Sequence, residues 1–245
     1  MTMQVAMRAK DGIILASDTR ATEIPELREN EFWAGGRYGH NVRKIKISHE
    51  RGMAISCAWD IKTAAYIAQK IISDLTDDEM SRPDEIEGAI ERICANTPAS
   101  IGRKNAQCLV VLTRPLLQIF WLQGIVQGGE WRADCRKFTD LAIAGDSTNA
   151  AIFWAERYYS QDRWIKKTMK RILPLAAHMI CSAHYLNTSG VGGLEMVLCS
   201  SVEIKRLSDK TIEDLEDKAE EWDKEIGNRF LTHQQTYKYA PKADG

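Results

Sequence analysis

Thr2, which directly follows Met1, is the residue whose type and position favour chemistry most strongly. Removal of an initiator methionine is favoured when the second residue is small, and it would leave threonine at the N-terminus. Such a threonine carries its own base, because its Oγ attacks a carbonyl carbon while its α-amine accepts the hydroxyl proton. The ordinary pKa of an α-amine, about 7.7–8.0, suits this work near neutral pH. Many proteins begin Met-Thr, so Thr2 alone favours an ordinary N-terminus.

Four further stretches support a reactive Thr2. MTMQVAMRAKDGIILASDTRAT places Asp18-Thr19-Arg20 sixteen residues after Thr2, and NVRKIKIS places Lys44-Ile45 just before a second predicted hairpin. AIAGDSTNA (142–150) and SGVGGLEMVLCSS (189–201) follow in order. Together these segments resemble the β-type subunits of proteasomes, which are N-terminal-nucleophile hydrolases, and most closely the bacterial proteasome homologues of the beta-proteobacterial type. The resemblance covers residues 2–207.

This resemblance implies a catalytic set of Thr2, Asp18, Lys44 and Ser147, with Arg20 supporting the loop. A positive charge on Lys44 beside Thr2 would lower the pKa of the α-amine and make it a better base. Asp18 would supply the counter-ion. The opening hairpin returns the chain to its starting end, which brings Asp18 back towards Thr2. Without Thr2 at this spacing, an ordinary ion pair at the ends of two strands would be the preferred explanation of Asp18 and Lys44.

The sequence departs from the family pattern at several supporting positions. The family's glycine after the second hairpin, whose N–H serves the oxyanion hole, falls at Ser56 or Cys57. Ser147 is the nearest match to the family's serine in the glycine-bearing turn. The aspartate of the last loop has no counterpart, and Asn187 and Ser189 offer an amide and a hydroxyl in its place. These departures affect the expected rate and substrate range more than the fold.

The elements that must position these residues alternate between groups of strands and pairs of helices. The pattern predicts strands at 3–9, 13–17, 44–48, 53–59, 106–113, 116–123, 140–146 and 194–207 (one long or two short), helices at 61–75, 84–97, 147–159, 163–186 and 209–231, and a long loop at 21–43. The lack of regular βαβ alternation argues against a doubly wound parallel sheet. We therefore expect an α/β (α+β) fold, a four-layer αββα sandwich of two antiparallel sheets. Residues 208–245 would form a C-terminal helical extension to a domain at 2–207.

The predicted C-terminal helix has an apolar stripe that must be buried against something. Its members recur at spacings of three and four residues: Ile212, Leu215, Ala219, Trp222, Ile226 and Phe230. Two destinations remain open, namely the domain that precedes the helix and a neighbouring subunit.

Composition narrows the class of protein. The chain has 245 residues, of which 44% are hydrophobic and 27% charged, with a net charge of -1. These values exclude a mainly disordered chain and give no support to nucleic-acid binding or to attachment at an anionic membrane. Six scattered cysteines without a CxxC pair favour buried thiols in a reducing, cytoplasmic compartment.

The resemblance implies a threonine-type peptidase in a self-compartmentalising, homo-oligomeric double ring. Its substrates would be unfolded polypeptides or peptides, an ATP-dependent unfoldase is a candidate partner, and no metal or organic cofactor is required. Two alternatives stay open on the same fold. One is a ring-forming scaffold with little or no activity, and the other is an acylase of small amides.

Overall fold

A computed structural model of the chain describes residues 2–23, 37–39, 42–145, 157–159, 167–186 and 191–233. The strands are β1 (Met3–Ala9), β2 (Gly12–Ser17), β3 (Ala21–Glu23), β4 (Arg37–Gly39), β5 (Ile45–Ser48), β6 (Met53–Trp59), β7 (Ala106–Leu112), β8 (Gln118–Gln127), β9 (Glu130–Phe138), β10 (Leu141–Gly145), β11 (Glu195–Cys199) and β12 (Ile204–Arg206). The helices are α1 (Ile61–Asp74), α2 (Asp77–Met80), α3 (Ile86–Ala95), α4 (Met169–Leu186) and α5 (Asp209–His233), with a 3₁₀ turn at Ala99–Ile101.

Two five-stranded sheets form the centre of the molecule. The first sheet has the strand order β10-β1-β2-β11-β12, and the second has the order β5-β6-β7-β8-β9. All pairings in both sheets are antiparallel, which confirms the predicted fold class. The opening hairpin pairs Gln4 with Ser17, so the residue after β2 returns to the beginning of β1 as the sequence predicts.

Three hydrophobic clusters separate four layers. Between the sheets, side chains such as Leu15, Leu109 and Val197 interdigitate. The outer face of the second sheet packs against α1 and α3, and the outer face of the first packs against α4. Because both faces of β7 are covered, its sequence AQCLVVL is an uninterrupted buried run instead of an alternating one. The predicted αββα sandwich is confirmed.

The prediction missed β9, which forms the edge of the second sheet. Its sequence EWRADCRKF is mostly exposed or half-buried and rich in charge, so it lacks a continuous apolar signal. The sequence signal for β9 was the Gly128-Gly129 pair in the turn before it. In the structure these glycines adopt φ values of 60° and 83°. Positive φ at both central residues is the requirement of a type I′ hairpin turn, and Gly-Gly meets it. The predicted loop at 21–43 was also wrong in part, since β3 and β4 pair within it.

Helix α5 packs against α4 of its own chain along the first part of its apolar stripe. Leu215 and Ala219 are buried, and the Trp222 ring meets the His178 ring edge-on at a centroid distance of 5.9 Å. The side chain of Phe230 and residues 147–156 of the predicted helix at 147–159 lie outside what the structure describes. None of the described helices is long and apolar enough to cross a membrane.

All six cysteines carry free thiols, and five of them are buried. Burial raises the pKa of Cys199 and of Cys94 to about 12, which keeps these thiols protonated and weakly nucleophilic. The prediction of buried, unpaired thiols is confirmed for all except Cys181, which is half-buried.

Candidate active site

The side chains of Thr2, Asp18 and Lys44 meet at one end of the sandwich, between the two sheets. Lys44 Nζ donates to Thr2 Oγ1 at 3.1 Å and to both carboxylate oxygens of Asp18 at 2.9 Å. Thr2 is 2% exposed, Lys44 is 1% exposed and Asp18 is fully buried. The structure therefore brings together three of the four residues expected to be catalytic.

Asp18 is held by the backbone on both sides of the opening hairpin. The N–H of Met3 donates to Asp18 Oδ1 at 2.9 Å, and the N–H of Arg20 donates to Oδ2 at 3.2 Å. The N–H of Asp18 in turn donates to the carbonyl oxygen of Met3 at 3.0 Å. These bonds fix the carboxylate beside the start of β1, next to Thr2, so its orientation is set by strand pairing and not by Lys44 alone.

Burial acts on the two charged groups in opposite directions. It raises the pKa of Asp18 and lowers the pKa of Lys44, and the attraction between the two groups offsets part of each shift. The backbone N–H groups that donate to Asp18 also favour its ionised form. A buried lysine with a lowered pKa next to a hydroxyl is the kind of perturbed group found at functional sites.

Gly145, at the end of β10, allows the backbone to pass close to Thr2. Its φ is 97°, and a Cβ atom at this position would lie 1.8 Å from the carbonyl oxygen of Thr2. The N–H of Gly145 donates to Gln107 Oε1 of the second sheet at 2.7 Å. Only glycine fits both the positive φ and the contact, so this turn fixes the position of Thr2 from the opposite side.

The supporting residues Ser56 and Cys57 lie on β6. Ser56 Oγ donates to Gln4 Oε1 at 2.9 Å, which joins the two sheets close to Thr2. The N–H of Cys57 donates to the carbonyl oxygen of Lys44 at 3.0 Å. The N–H of Cys57 is one of the two groups predicted to serve an oxyanion hole, and it is therefore already hydrogen-bonded.

Arg20 lies against the loop that precedes β11. A Cβ added at Gly192 would lie 2.9 Å from its guanidinium, and the N–H of Thr19 donates to the carbonyl oxygen of Gly192 at 2.9 Å. Arg20 thus contacts the last loop. Ser147, Asn187 and Ser189 lie outside the described residues. Within the described ranges, no cluster of three or more His, Cys, Asp or Glu side chains is arranged to hold a metal ion.

Two residues next to the site were missed by the sequence reasoning. Glu195, at the start of β11, accepts the backbone N–H groups of Lys44 and Ile45, and Arg206 of β12 forms an ion pair with Glu195. The available signal was a carboxylate inside the apolar run LEMVLC, since a buried charge in a strand needs a partner.

Comparison with known proteins gives structural matches alone. No protein-family model and no curated protein matches the chain. Anbu from Hyphomicrobium sp. strain MC1 superimposes with a TM-score of 0.62 at 13% identity, covering 94% of this chain and 97% of that one. Anbu from Yersinia bercovieri, described as an ancestral beta-subunit, gives a TM-score of 0.62 at 13% identity and covers 99% of both chains. The chain therefore has the fold of these Anbu structures.

Proposed function

We propose that this protein is a threonine hydrolase of amide bonds, with Thr2 as its N-terminal nucleophile after removal of Met1. The observation that carries the proposal is the contact of Lys44 Nζ with Thr2 Oγ1 at 3.1 Å, while the same Nζ is held at 2.9 Å from both oxygens of Asp18. A buried cation aimed at a hydroxyl, with its counter-ion fixed by backbone N–H groups, is a costly arrangement for stability alone.

The first chemical step forms an ester on Thr2. The hydroxyl oxygen attacks the carbonyl carbon of the amide, and its proton passes to the free α-amine of the same residue. Lys44 stabilises negative charge that develops on Oγ1 and lowers the pKa of the amine, so that more of the amine is unprotonated at neutral pH. The C–N bond of the substrate then breaks, and the leaving amine takes the proton from the α-amine.

The second step releases the acid product. Water attacks the ester carbon, gives a proton to the α-amine, and Thr2 leaves as a hydroxyl when that proton returns to Oγ1. Every proton in this cycle is carried by Thr2, water or substrate, so neither a metal nor an organic cofactor is needed. Peptides and unfolded polypeptides are the substrate class that the proteasome-like fold favours.

A homo-oligomeric ring is part of the proposal. The likeness of the fold to Anbu, one of whose members is described as an ancestral beta-subunit, supports it. An ATP-dependent unfoldase would be the partner that feeds folded substrates to such a ring. Native mass spectrometry of the purified protein would give the subunit number, and a monomer at micromolar concentration would contradict the ring.

One observation favours a second candidate, a ring-forming scaffold without hydrolase activity. The Cys57 amide, one of the two positions expected to serve an oxyanion, donates to the carbonyl oxygen of Lys44 instead. Loss of one oxyanion donor lowers kcat by about 10²–10³. A scaffold would keep the fold and the ring while hydrolysing no amide.

Hydrolysis of fluorogenic peptides by the wild type, Thr2→Ser and Thr2→Ala distinguishes these candidates. The proposal predicts activity for the wild type, reduced activity for Thr2→Ser and none for Thr2→Ala. Insertion of Glu between Met1 and Thr2 is the matched control, because it keeps the hydroxyl but converts the amine to an amide, and it should abolish activity. An inactive wild type with Met1 removed would support the scaffold, and hydrolysis of small acylamides without peptide cleavage would assign an acylase.

A further inference from the structure

The backbone of Lys44 and Ile45 is held by two charged side chains from the first sheet. Glu195 Oε2 accepts the N–H of Lys44 at 2.8 Å and the N–H of Ile45 at 3.1 Å. Arg206 Nη2 donates to the carbonyl oxygen of Ile45 at 2.7 Å, and the same guanidinium forms an ion pair with Glu195. Glu195 is 6% exposed, so these bonds are made largely away from water.

The remaining polar group of this segment bonds to the second sheet. The carbonyl oxygen of Lys44 accepts the N–H of Cys57 on β6 at 3.0 Å. The backbone of Lys44 and Ile45 is therefore fixed from two sides, by side chains of β11 and β12 and by the backbone of β6. Hydrogen bonds to an ionised carboxylate are shorter and stronger than those between neutral groups, which makes Glu195 the strongest of these anchors.

We infer that Glu195 and Arg206 are positioning residues that hold Lys44 against Thr2 and thereby set the rate of amide hydrolysis; the inference rests on the proposed function. The side chain of Lys44 reaches its partners from a backbone whose N–H Glu195 binds directly. Loss of that acceptor would leave two buried N–H groups unpaired, and the segment would move to find new partners. A shift of about 1 Å in such a group lowers the rate by about 100-fold.

The two charges compensate each other, since the Glu195 side chain is 6% exposed and its carboxylate pairs with the Arg206 guanidinium. Burial and the neighbouring Arg43 lower the pKa of Arg206, and the Glu195 carboxylate is the partner of its guanidinium. Both residues line a cavity of about 460 Å³ whose lining includes neither Thr2, Asp18 nor Lys44. The ion pair thus contacts this cavity on one side and the backbone of Lys44 on the other.

The test compares Glu195→Ala, Glu195→Gln and a packing control, Leu198→Ala, on the same strand. Leu198 packs in the cluster between the first sheet and α4, and removing its side chain weakens β11 without removing an acceptor from Lys44. For Glu195→Ala we expect kcat to fall by about 100-fold with little change in KM. Glu195→Gln keeps one acceptor oxygen and should stay within about tenfold of the wild type.

The pH profile separates positioning from mere loss of stability. When Lys44 Nζ moves away from Thr2, the α-amine loses the nearby positive charge, its pKa rises, and the acidic limb of kcat/KM moves to higher pH. Glu195→Ala should show this shift, whereas Leu198→Ala should lower the midpoint of thermal unfolding and leave the limb unchanged. An unshifted limb in an active, folded Glu195→Ala variant would overturn the inference and leave the proposed hydrolase intact.

A crystal structure of Glu195→Ala gives a readout that does not depend on turnover. The expected result is a separation of Lys44 Nζ and Thr2 Oγ1 clearly longer than the 3.1 Å of the wild type. An unchanged separation would reject the positioning role even if the wild type proved inactive. A wild type without hydrolase activity would contradict the proposed function, and the structural readout would still decide whether the ion pair fixes Lys44.

Discussion

Two contacts between a basic side chain and a carboxylate lie in different parts of the molecule. One is at the candidate active site, here called the reactive end, and the other is where α4 packs against α5, here called the structural end. At the first, the side chains of Lys44 and Asp18 are both 0% exposed and lie 2.9 Å apart. At the second, between α4 and α5, His178 is 4% exposed, Asp223 is 30% exposed, and the distance is 3.5 Å. The first contact is fully removed from water, whereas the second is open to water on its acidic side.

The difference lies in what holds each pair. Asp18 accepts two backbone N–H groups, and the backbone of Lys44 is bound by Glu195 and by β6, so the geometry of the first pair is fixed from both sheets. His178 contacts Ser182 Oγ at 3.3 Å, the edge of the Trp222 ring and the backbone of Ala219 on α5. The first pair is therefore anchored by groups from both sheets, whereas the second lies within the contact between two helices.

Removal of the lysine should give the largest effect. Lys44→Met leaves Asp18 buried without its cation, so we expect a loss of about 3–5 kcal/mol in the free energy of unfolding. Peptide hydrolysis should fall by at least about 10²-fold, since a charge that stabilises the transition state is gone. Urea unfolding and the peptide assay measure the two effects. In the double variant Lys44→Met with Asp18→Asn, stability should recover and activity should not. Recovery of both would contradict a chemical role for the cation.

A backbone change at the reactive end should disturb Thr2 without altering any charge. Gly145→Ala combines a φ of 97° with a collision at the carbonyl oxygen of Thr2, so activity should fall by about 10²-fold from displacement of the nucleophile. Gly102→Ala is the matched control, because its φ is 69° but a Cβ there meets nothing within 4 Å. It should cost about 1–3 kcal/mol of stability for the positive φ and leave kcat unchanged. Equal activity losses in both variants would refute the close-contact explanation.

At the structural end, the effect should depend on pH. Burial lowers the pKa of His178 below its ordinary value, although Asp223 partly opposes this shift. Protonation therefore favours the unfolded chain, so stability is greatest above the ordinary histidine pKa and is lost as the pH falls from that value to the folded-state pKa. Urea unfolding of the wild type and of His178→Gln between pH 8 and pH 5 should show a smaller decline in the variant. A steeper decline in the variant would contradict a lowered pKa of His178 in the folded protein.

The smallest effect should come from an exposed ion pair. Arg82 forms contacts with Asp78 and Glu85 on the surface, and all three side chains are more than half exposed. Water and salt screen such pairs, so Arg82→Gln should leave both the free energy of unfolding and the hydrolysis rate unchanged. A measurable loss of stability would show that charge pairs in this protein contribute regardless of burial, which would weaken the comparison.

Most of the fold could be predicted from the sequence, because most of its strands are apolar runs and its turns contain typical turn residues such as Asp11-Gly12. The opening hairpin, with Asp11-Gly12 at its turn, predicts that Asp18 returns to Thr2, and the structure agrees. The edge strand β9 was missed because exposed charges mask the strand pattern. The two central charges of the site were predicted through a family resemblance, since no local pattern places Lys44 beside Thr2.

The carboxylate inside LEMVLC indicates that Glu195 needs a partner, but the sequence does not show which groups Glu195 and Arg206 bind. Their partners are backbone groups of Lys44 and Ile45, about 150 residues earlier in the chain, and a backbone N–H carries no sequence signature. Glu195 reaches these backbone groups only because the first sheet packs face to face with the second. Contacts of this kind become visible only when the packed sheets are known.

The most direct test of the central claim is the intact mass of the protein before and after treatment with a peptide epoxyketone. This reagent forms its ring adduct only with the hydroxyl and the free α-amine of one N-terminal residue. We predict the loss of one methionine mass and the gain of a single adduct, with no adduct on Thr2→Ala. Retention of Met1 together with the absence of an adduct would contradict Thr2 as the nucleophile.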